Sequence, residues 1–254
     1  MEIDLSHHLA VVTGGAGQLG RAISRVLAAC GADVVVHYHT RGREAEELSA
    51  AFRAQGRASI AAQADVTDPG SVAAMKARIL AEMGRAPDIL VNNAVAQYRW
   101  TAVLEQPLED YEGQFRSCVL QNVIMAQAFV PAMAERRWGR VIAINTECAM
   151  QNFPNQSAYV AGKRGMDGVL RVLAREVGPS QVTVNQVAPG WMISDGSPDG
   201  DGAGELAYKA AVPLRRRGAA EDVAHLVAFL ASDLANFISG QYISVSGGNV
   251  MPAI

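Results

Sequence analysis

Short runs rich in Val, Ile and Ala alternate with amphipathic helical stretches along the whole 254-residue chain, and this alternation constrains the fold more than any other feature. A strand followed by a helix and then another strand packs back onto one sheet in parallel, with both faces covered. Strands are expected at His8 to Thr13, Asp33 to Tyr38, Ser59 to Gln63, Asp88 to Asn92, Arg140 to Asn145, Val182 to Val187 and Tyr242 to Val245. The helices between them run from Gly17 to Cys30, Gly42 to Gln55, Gly70 to Met83, Tyr111 to Arg136, Ser157 to Val177 and Ala220 to Ser232. No linker or repeat interrupts the pattern. The expectation is one α/β domain over residues 1–254, a doubly wound sheet of seven parallel strands.

One stretch breaks the rhythm. From Trp191 to Val212, Gly196, Pro198, Gly200, Gly202 and Gly204 crowd together with acidic residues and little apolar periodicity. It reads as a mobile loop with a short helix after it, placed where a lid would cover the carboxyl ends of the strands.

The first apolar strand leads directly into Thr13-Gly14-Gly15-Ala16-Gly17-Gln18-Leu19-Gly20, and a helix follows. Glycines here permit a tight turn and close approach of backbone to a pyrophosphate, which the free N–H groups of the helix start then bind. Gly14, Gly17, Gln18, Leu19 and Gly20 are therefore candidate cofactor contacts. At the end of the second strand an acid would bind the ribose 2′-hydroxyl of NAD and repel a 2′-phosphate. This chain has His39, Thr40 and Arg41 there, with no acid before Glu44. These are donors and a cation suited to a phosphate, so the cofactor expected is NADPH/NADP+, with Arg41 as the main phosphate contact.

Tyr159 and Lys163 stand four apart in a helical stretch and project from one face. A phenol ionises near pH 10, and a neighbouring ammonium favours its phenolate. A drop of roughly three units would represent about 4 kcal/mol.

These motifs together resemble the short-chain dehydrogenase/reductase family, over essentially the whole chain. The likeness is to its ketoacyl-reductase-like members of Rossmann fold, with pteridine-reductase-like features in the glycine loop and at His37 to His39. The resemblance implies that Tyr159 passes a proton to the substrate oxygen and that Lys163 also holds the nicotinamide ribose. Thr146, thirteen residues before the tyrosine, stands where Ser usually bonds the reacting carbonyl. It further implies cofactor roles for Asp65 and Val66 after the third strand, for Asn92 and Ala94 in Asn92-Asn93-Ala94, for Pro189 and Gly190, and for Ser194. One departure stands out: Cys118 occupies the position of a helix Asn used in the family's proton relay, with Asn122, one turn later, a candidate substitute. Gln97, Tyr98, Trp100, Cys148, Met150, Gln151, Phe153, Trp191 and Met192 are candidates for the substrate pocket.

The function implied is NADPH-dependent hydride transfer to a ketone or aldehyde, with Tyr159 as proton donor. The alternatives are reduction of a C=N or conjugated C=C bond, or a cofactor-binding regulatory protein of weakened catalysis, motivated by Cys118 and Thr146. A formal net charge of −3 and 19% charged residues give no basic footprint for nucleic acid. The absence of an uninterrupted apolar run of about 18 residues gives no expectation of a membrane span. No His or Cys spacing suits a metal, and Cys30, Cys118 and Cys148 lack a disulfide pattern. A cytoplasmic enzyme acting on a small carbonyl substrate, assembled as a homotetramer, is the resulting expectation.

Overall fold

Strand residues here point alternately to two apolar layers, so almost every position is hydrophobic. Ala10, Val12, Val34 and Val36 join one core, while Leu9, Val11 and Val35 join the other. In the computed structural model, which describes residues 2–96 and 98–251, these strands are β1 (Leu9–Val12), β2 (Asp33–Tyr38), β3 (Ser59–Gln63), β4 (Ile89–Asn92), β5 (Gly139–Ile144), β6 (Val182–Pro189) and β7 (Tyr242–Val245). They form one parallel sheet in the order β3-β2-β1-β4-β5-β6-β7, the doubly wound α/β arrangement expected from the sequence. Chain direction across the sheet reverses between β1 and β4, and a crevice opens there at the strands' carboxyl ends.

The first core is closed by α1 (Gln18–Ala29), α2 (Gly42–Ala54) and α9 (Ala220–Ala231) through residues such as Ile23, Phe52 and Val227. The second is closed by α3 (Pro69–Met83), α5 (Gln121–Arg136) and α7 (Ser157–Val177) through Ile79, Phe129 and Leu170, and the short α6 (Cys148–Gln151) lies between β5 and α7. Each such fully buried side chain contributes roughly 1.5–3 kcal/mol relative to exposure.

The expected helix from Tyr111 to Arg136 is longer and less regular than its sequence suggests. It begins after Pro107 as α4 (Leu108–Gln114), passes through a π-helical segment at Phe115–Leu120 and continues as α5. At 29 residues, with mean hydropathy 1.4 over its most apolar window, it is long and apolar enough to cross a membrane. Its apolar side instead packs within this fold, where Met125, Phe129 and Met133 are fully buried. The packing partner is α7, whose Gly162 lies so close that a Cβ there would stand 2.9 Å from the Gln114 carbonyl oxygen.

The segment from Trp191 to Val212 also differs from expectation. The short helix lies inside it, as α8 (Ala203–Ala211), and the loop before it is bound to one buried cation. Arg217 is 1% exposed and donates to the carbonyls of Met192, Ser197 and Pro198, to Ser197 Oγ and to Glu205 Oε1, and its guanidinium stacks 4.4 Å from the Trp191 ring. Arg217 lies beyond the glycine-rich stretch in sequence, so the composition of that stretch alone suggests more freedom than these bonds allow.

Candidate active site

The glycine loop leaves β1 through a left-handed Gly14 (φ 60°). At Gly20 a Cβ would approach the Gly14 carbonyl oxygen to 2.1 Å, so no other residue closes this turn without moving it. Gly17 begins α1 with no side-chain cap, leaving the helix N–H groups directed at the cleft. Thr13 Oγ1 accepts from both Asn93 N (2.8 Å) and Ala94 N (2.9 Å), and Asn93 Nδ2 returns a bond to Thr13 O (2.9 Å). The two turns that flank the crevice are thus locked together.

A buried imidazole holds the loop from the other side. Gly14 N donates to His37 Nδ1 (2.9 Å), and Nε2 faces Ala64 O (3.1 Å), a pair of partners that requires a neutral ring protonated on Nε2. Burial is the main reason the His37 pKa falls to about 4, from an ordinary 6.5; the Ala64 carbonyl and Asp65 oppose the fall, and His39 adds to it. The unfolded chain therefore takes up a proton below pH 6.5 that the folded chain refuses until about pH 4. Stability from this residue is present above pH 6.5 and is lost as pH falls to 4, by about 3 kcal/mol in all. Denaturant titrations at both pH values should show this loss in the parent protein. In His37→Gln, whose amide can keep both bonds without titrating, it should be missing, and an unchanged pH dependence would contradict the assignment.

A cleft of about 1090 Å³ runs along the strand ends. Gly14, Gly17, Gln18, Leu19 and Gly20 form its floor, His39, Thr40 and Arg41 lie at the β2 end, and Asp65 and Val66 follow β3. Ala94, Thr146, Tyr159, Lys163, Pro189 and Gly190 line the other half. Two expected contacts lie elsewhere. Asn92 is buried beneath the cleft, its Nδ2 donating to Asn122 Oδ1 (2.7 Å). Ser194 pairs with Ser197 through backbone bonds, and its neighbours Asp195 and Gly196 face the cleft instead. At the open end Arg41 forms no ion pair with a described residue, whereas Arg21 holds Asp195 at 3.0 Å across the mouth.

Tyr159 and Lys163 share one face of α7, with the ammonium 5.8 Å from the phenol ring centre. Lys163 is 3% exposed and donates to Ile144 O (2.6 Å). Their electrostatics reverse the sequence expectation of a lowered phenol pKa. Burial pushes Tyr159 up, aided by the neighbouring Cys148 and opposed by a hydrogen bond with Thr146. Burial likewise pushes Lys163 down. Desolvation of the charged form is the largest cause in each case. Thr146 is 7% exposed and fixed by Asn145 Oδ1 at its own N–H (2.9 Å), while its Oγ1 accepts from Cys148 N (3.2 Å). Tyr98 stacks on Tyr159 at 4.6 Å and 12°, with Trp100 beyond it at 5.5 Å. Gln97 lies outside the described residues.

Cys118 does not open into the cleft. Its thiol donates toward Gln114 Oε1 (3.6 Å), and its carbonyl oxygen accepts from Asn122 Nδ2 (2.7 Å). Asn122 is consumed by that bond and by Asn92, so it is a buried packing amide rather than a relay group. The π-helical turn brings Ser117 and Gln121 to the cleft wall in their place. Neither this pair nor the role of His37 carries a distinctive spacing in the sequence. Another buried polar group, Glu147, accepts from Tyr208 OH (3.1 Å) and Asn249 Nδ2 (3.0 Å) and ties α8 to the end of β5; burial raises its pKa. All three cysteines are free, and among the described residues no three His, Cys, Asp or Glu side chains cluster as a metal site.

A family model described as Enoyl-(Acyl carrier protein) reductase matches residues 14–249. The chain is 36% identical over 246 residues to the 3-oxoacyl-(acyl-carrier-protein) reductase FabG of Escherichia coli, covering 96% of this chain and 97% of that one. It is 34% identical over 247 residues to an uncharacterised oxidoreductase of Methylorubrum extorquens, covering 96% and 98%. Among solved structures, a blue fluorescent protein from a metagenomic library, in complex with NADPH, superposes with a TM-score of 0.89 at 34% identity, over 98% of this chain and 100% of that chain. A mutant short-chain dehydrogenase/reductase of Serratia marcescens gives 0.89 at 30% identity, over 96% and 98%. Since sheet order, glycine loop and whole-length sequence likeness agree, the chain belongs to the short-chain dehydrogenase/reductase family of oxidoreductases.

Proposed function

We propose that this protein is an NADPH-dependent carbonyl reductase in which Tyr159 is the proton donor. The observation that carries the reading is that Tyr159, Thr146 and Lys163 line the same cleft as the uncapped start of α1. That cleft suits a dinucleotide phosphate: helix N–H groups meet the pyrophosphate, and the Arg41 end lacks the acid that would reject a 2′-phosphate. NADPH, when bound, supplies the hydride.

The chain's own residues do the rest. The substrate oxygen sits between the Tyr159 hydroxyl and Thr146 Oγ1, and both donate to it. A phenol keeps its proton at neutral pH and burial raises the Tyr159 pKa further, so a proton is in place to be given to an oxygen gaining negative charge. Lys163, fixed through Ile144 O, holds the nicotinamide ribose and stabilises Tyr159 as it loses that proton. The segment around 191–212, anchored on Arg217, serves as the substrate lid of a single dinucleotide-binding domain.

The cofactor preference has a separate test. Removing a charge-assisted bond of about 1.5–3 kcal/mol in Arg41→Ala should weaken NADPH binding about 10–100-fold while leaving NADH binding nearly unchanged, measured by cofactor fluorescence. Equal affinity of parent and variant for NADPH would remove Arg41 from the site. The likeness to FabG proteins favours a 3-oxoacyl thioester or related ketone as substrate. The description of the matching family model motivates reduction of a conjugated C=C bond as the second reading. Chromatography of the product of an unsaturated ketone separates the two, because one yields the allylic alcohol and the other the saturated ketone.

A further inference from the structure

Glu147 directly follows Thr146 past the end of β5, is 4% exposed and forms no ion pair with a described residue. Its charge is met by neutral donors instead: Tyr208 OH on Oε1 (3.1 Å) and Asn249 Nδ2 on Oε2 (3.0 Å). The Tyr208 hydroxyl in turn accepts from Trp191 N (2.8 Å), while the Glu147 backbone N–H donates to Pro189 O (2.9 Å). One residue thus holds the turn from Pro189 to Trp191 at both ends. The turn has no slack, since a Cβ on Gly190 would stand 2.6 Å from the Tyr208 hydroxyl and 3.1 Å from Glu147 Oε2.

The other polar side chains of α8 bond elsewhere. Glu205 pairs with Arg217, and Lys209 with Asp199, Asp201 and Gly200 O, so both tie the segment to itself and to its anchor. Tyr208 is the side chain of α8 that reaches the residue beside Thr146. A carboxylate buried without a cation is costly unless its donors stay in place, so this link favours one closed arrangement of the segment. We propose that Glu147 is a positioning residue, which through the Tyr208 hydroxyl sets the Pro189–Gly190 wall of the cleft and holds α8 closed beside Thr146 before the ketone binds. The inference rests on the reading of the cleft as a carbonyl-reductase site.

The test removes the link from each end, in Tyr208→Phe, in Glu147→Leu and in the double variant. If the closed arrangement is populated less, substrate affinity falls by that fraction, while bound substrate restores closure. KM for the ketone should therefore rise about tenfold in each single variant, the scale of one hydrogen bond to a charged group, with kcat within about twofold of the parent. The double variant should be no worse than the weaker single one, because both changes delete one link. Hydrogen exchange of the cofactor-free proteins, read by mass spectrometry, should be about tenfold faster over residues 189–211 and unchanged elsewhere. Should Glu147→Leu fail to fold, Tyr208→Phe decides by KM and exchange, since it keeps the ring edge-on to Trp191. Parent KM and parent exchange in Tyr208→Phe would overturn the proposal, as would losses that multiply in the double variant or faster exchange throughout the chain. A parent protein that reduces no ketone with NADPH would instead refute the reductase reading, and exchange over 189–211 would still decide for or against the link.

Discussion

Tyr159→Phe is expected to lower kcat for carbonyl reduction about a thousandfold while leaving the NADPH dissociation constant within about threefold of the parent value. The substitution removes one oxygen and keeps the ring, so the stack with Tyr98 at 4.6 Å and the packing of α7 survive. What is lost is the proton in place for the substrate oxygen, carried at neutral pH by a phenol whose pKa burial raises further. Cofactor affinity remains because the glycine loop, the β2 end and Lys163 are untouched. Stopped-flow mixing of enzyme–NADPH with a ketone reads hydride transfer directly. A variant as fast as the parent would exclude Tyr159 as the acid.

Arg217→Ala should be strongly destabilising, because Arg217 anchors the 191–212 segment from outside it. Arg217 is fully buried and bonds Met192, Ser197, Pro198 and Glu205 at once, so truncation strands the Met192 and Pro198 carbonyl oxygens and a largely buried carboxylate, while Ser197 O keeps its bond from Ser194 N. Removing one partner of such a pair costs about 3–5 kcal/mol. Because the bonds gather the 191–212 segment, unfolding can begin there, and a drop in Tm of about 6–15 °C is expected by calorimetry. Arg217→Lys should recover only part of it, since one ammonium cannot reach acceptors on opposite sides of a planar fork. A Tm within about 2 °C of the parent in the Ala variant would show that the segment does not depend on this residue.

The comparison of sequence with structure divides along physical lines. The sheet was legible because buried parallel strands are written as short continuous apolar runs, as at Val34, Val35 and Val36, and glycine punctuation marks where they end. The glycine turn was legible as well: Gly20 is forced by a steric contact that no other residue survives. Side-chain direction was not. Asn92 belongs to a motif that lies at the cleft, yet its amide turns down to Asn122, and Ser194 gives way to Asp195 and Gly196. The ionisation of Tyr159 could not be read from its distance to Lys163 either, because desolvation depends on everything around the pair, including Tyr98 from a loop sixty residues earlier. Gln121 needed the π-helical turn. In a regular helix the pattern of this stretch gives no reason to aim a glutamine at the cleft, and a single turn of different pitch does so. Likewise the bonds of Arg217 join stretches up to 25 residues apart in sequence, beyond the reach of local composition.

The central claim is that hydride passes from NADPH to a carbonyl carbon in this cleft, with oxygen receiving its proton from Tyr159. The most direct measurement uses NADPH deuterated at the transferring position together with a 3-oxoacyl thioester, followed by mass spectrometry and NMR of the product. A 3-hydroxy thioester bearing one deuterium on the carbinol carbon is the result this account predicts. Recovery of the ketone with no cofactor consumed, or deuterium delivered to any other carbon, would contradict it.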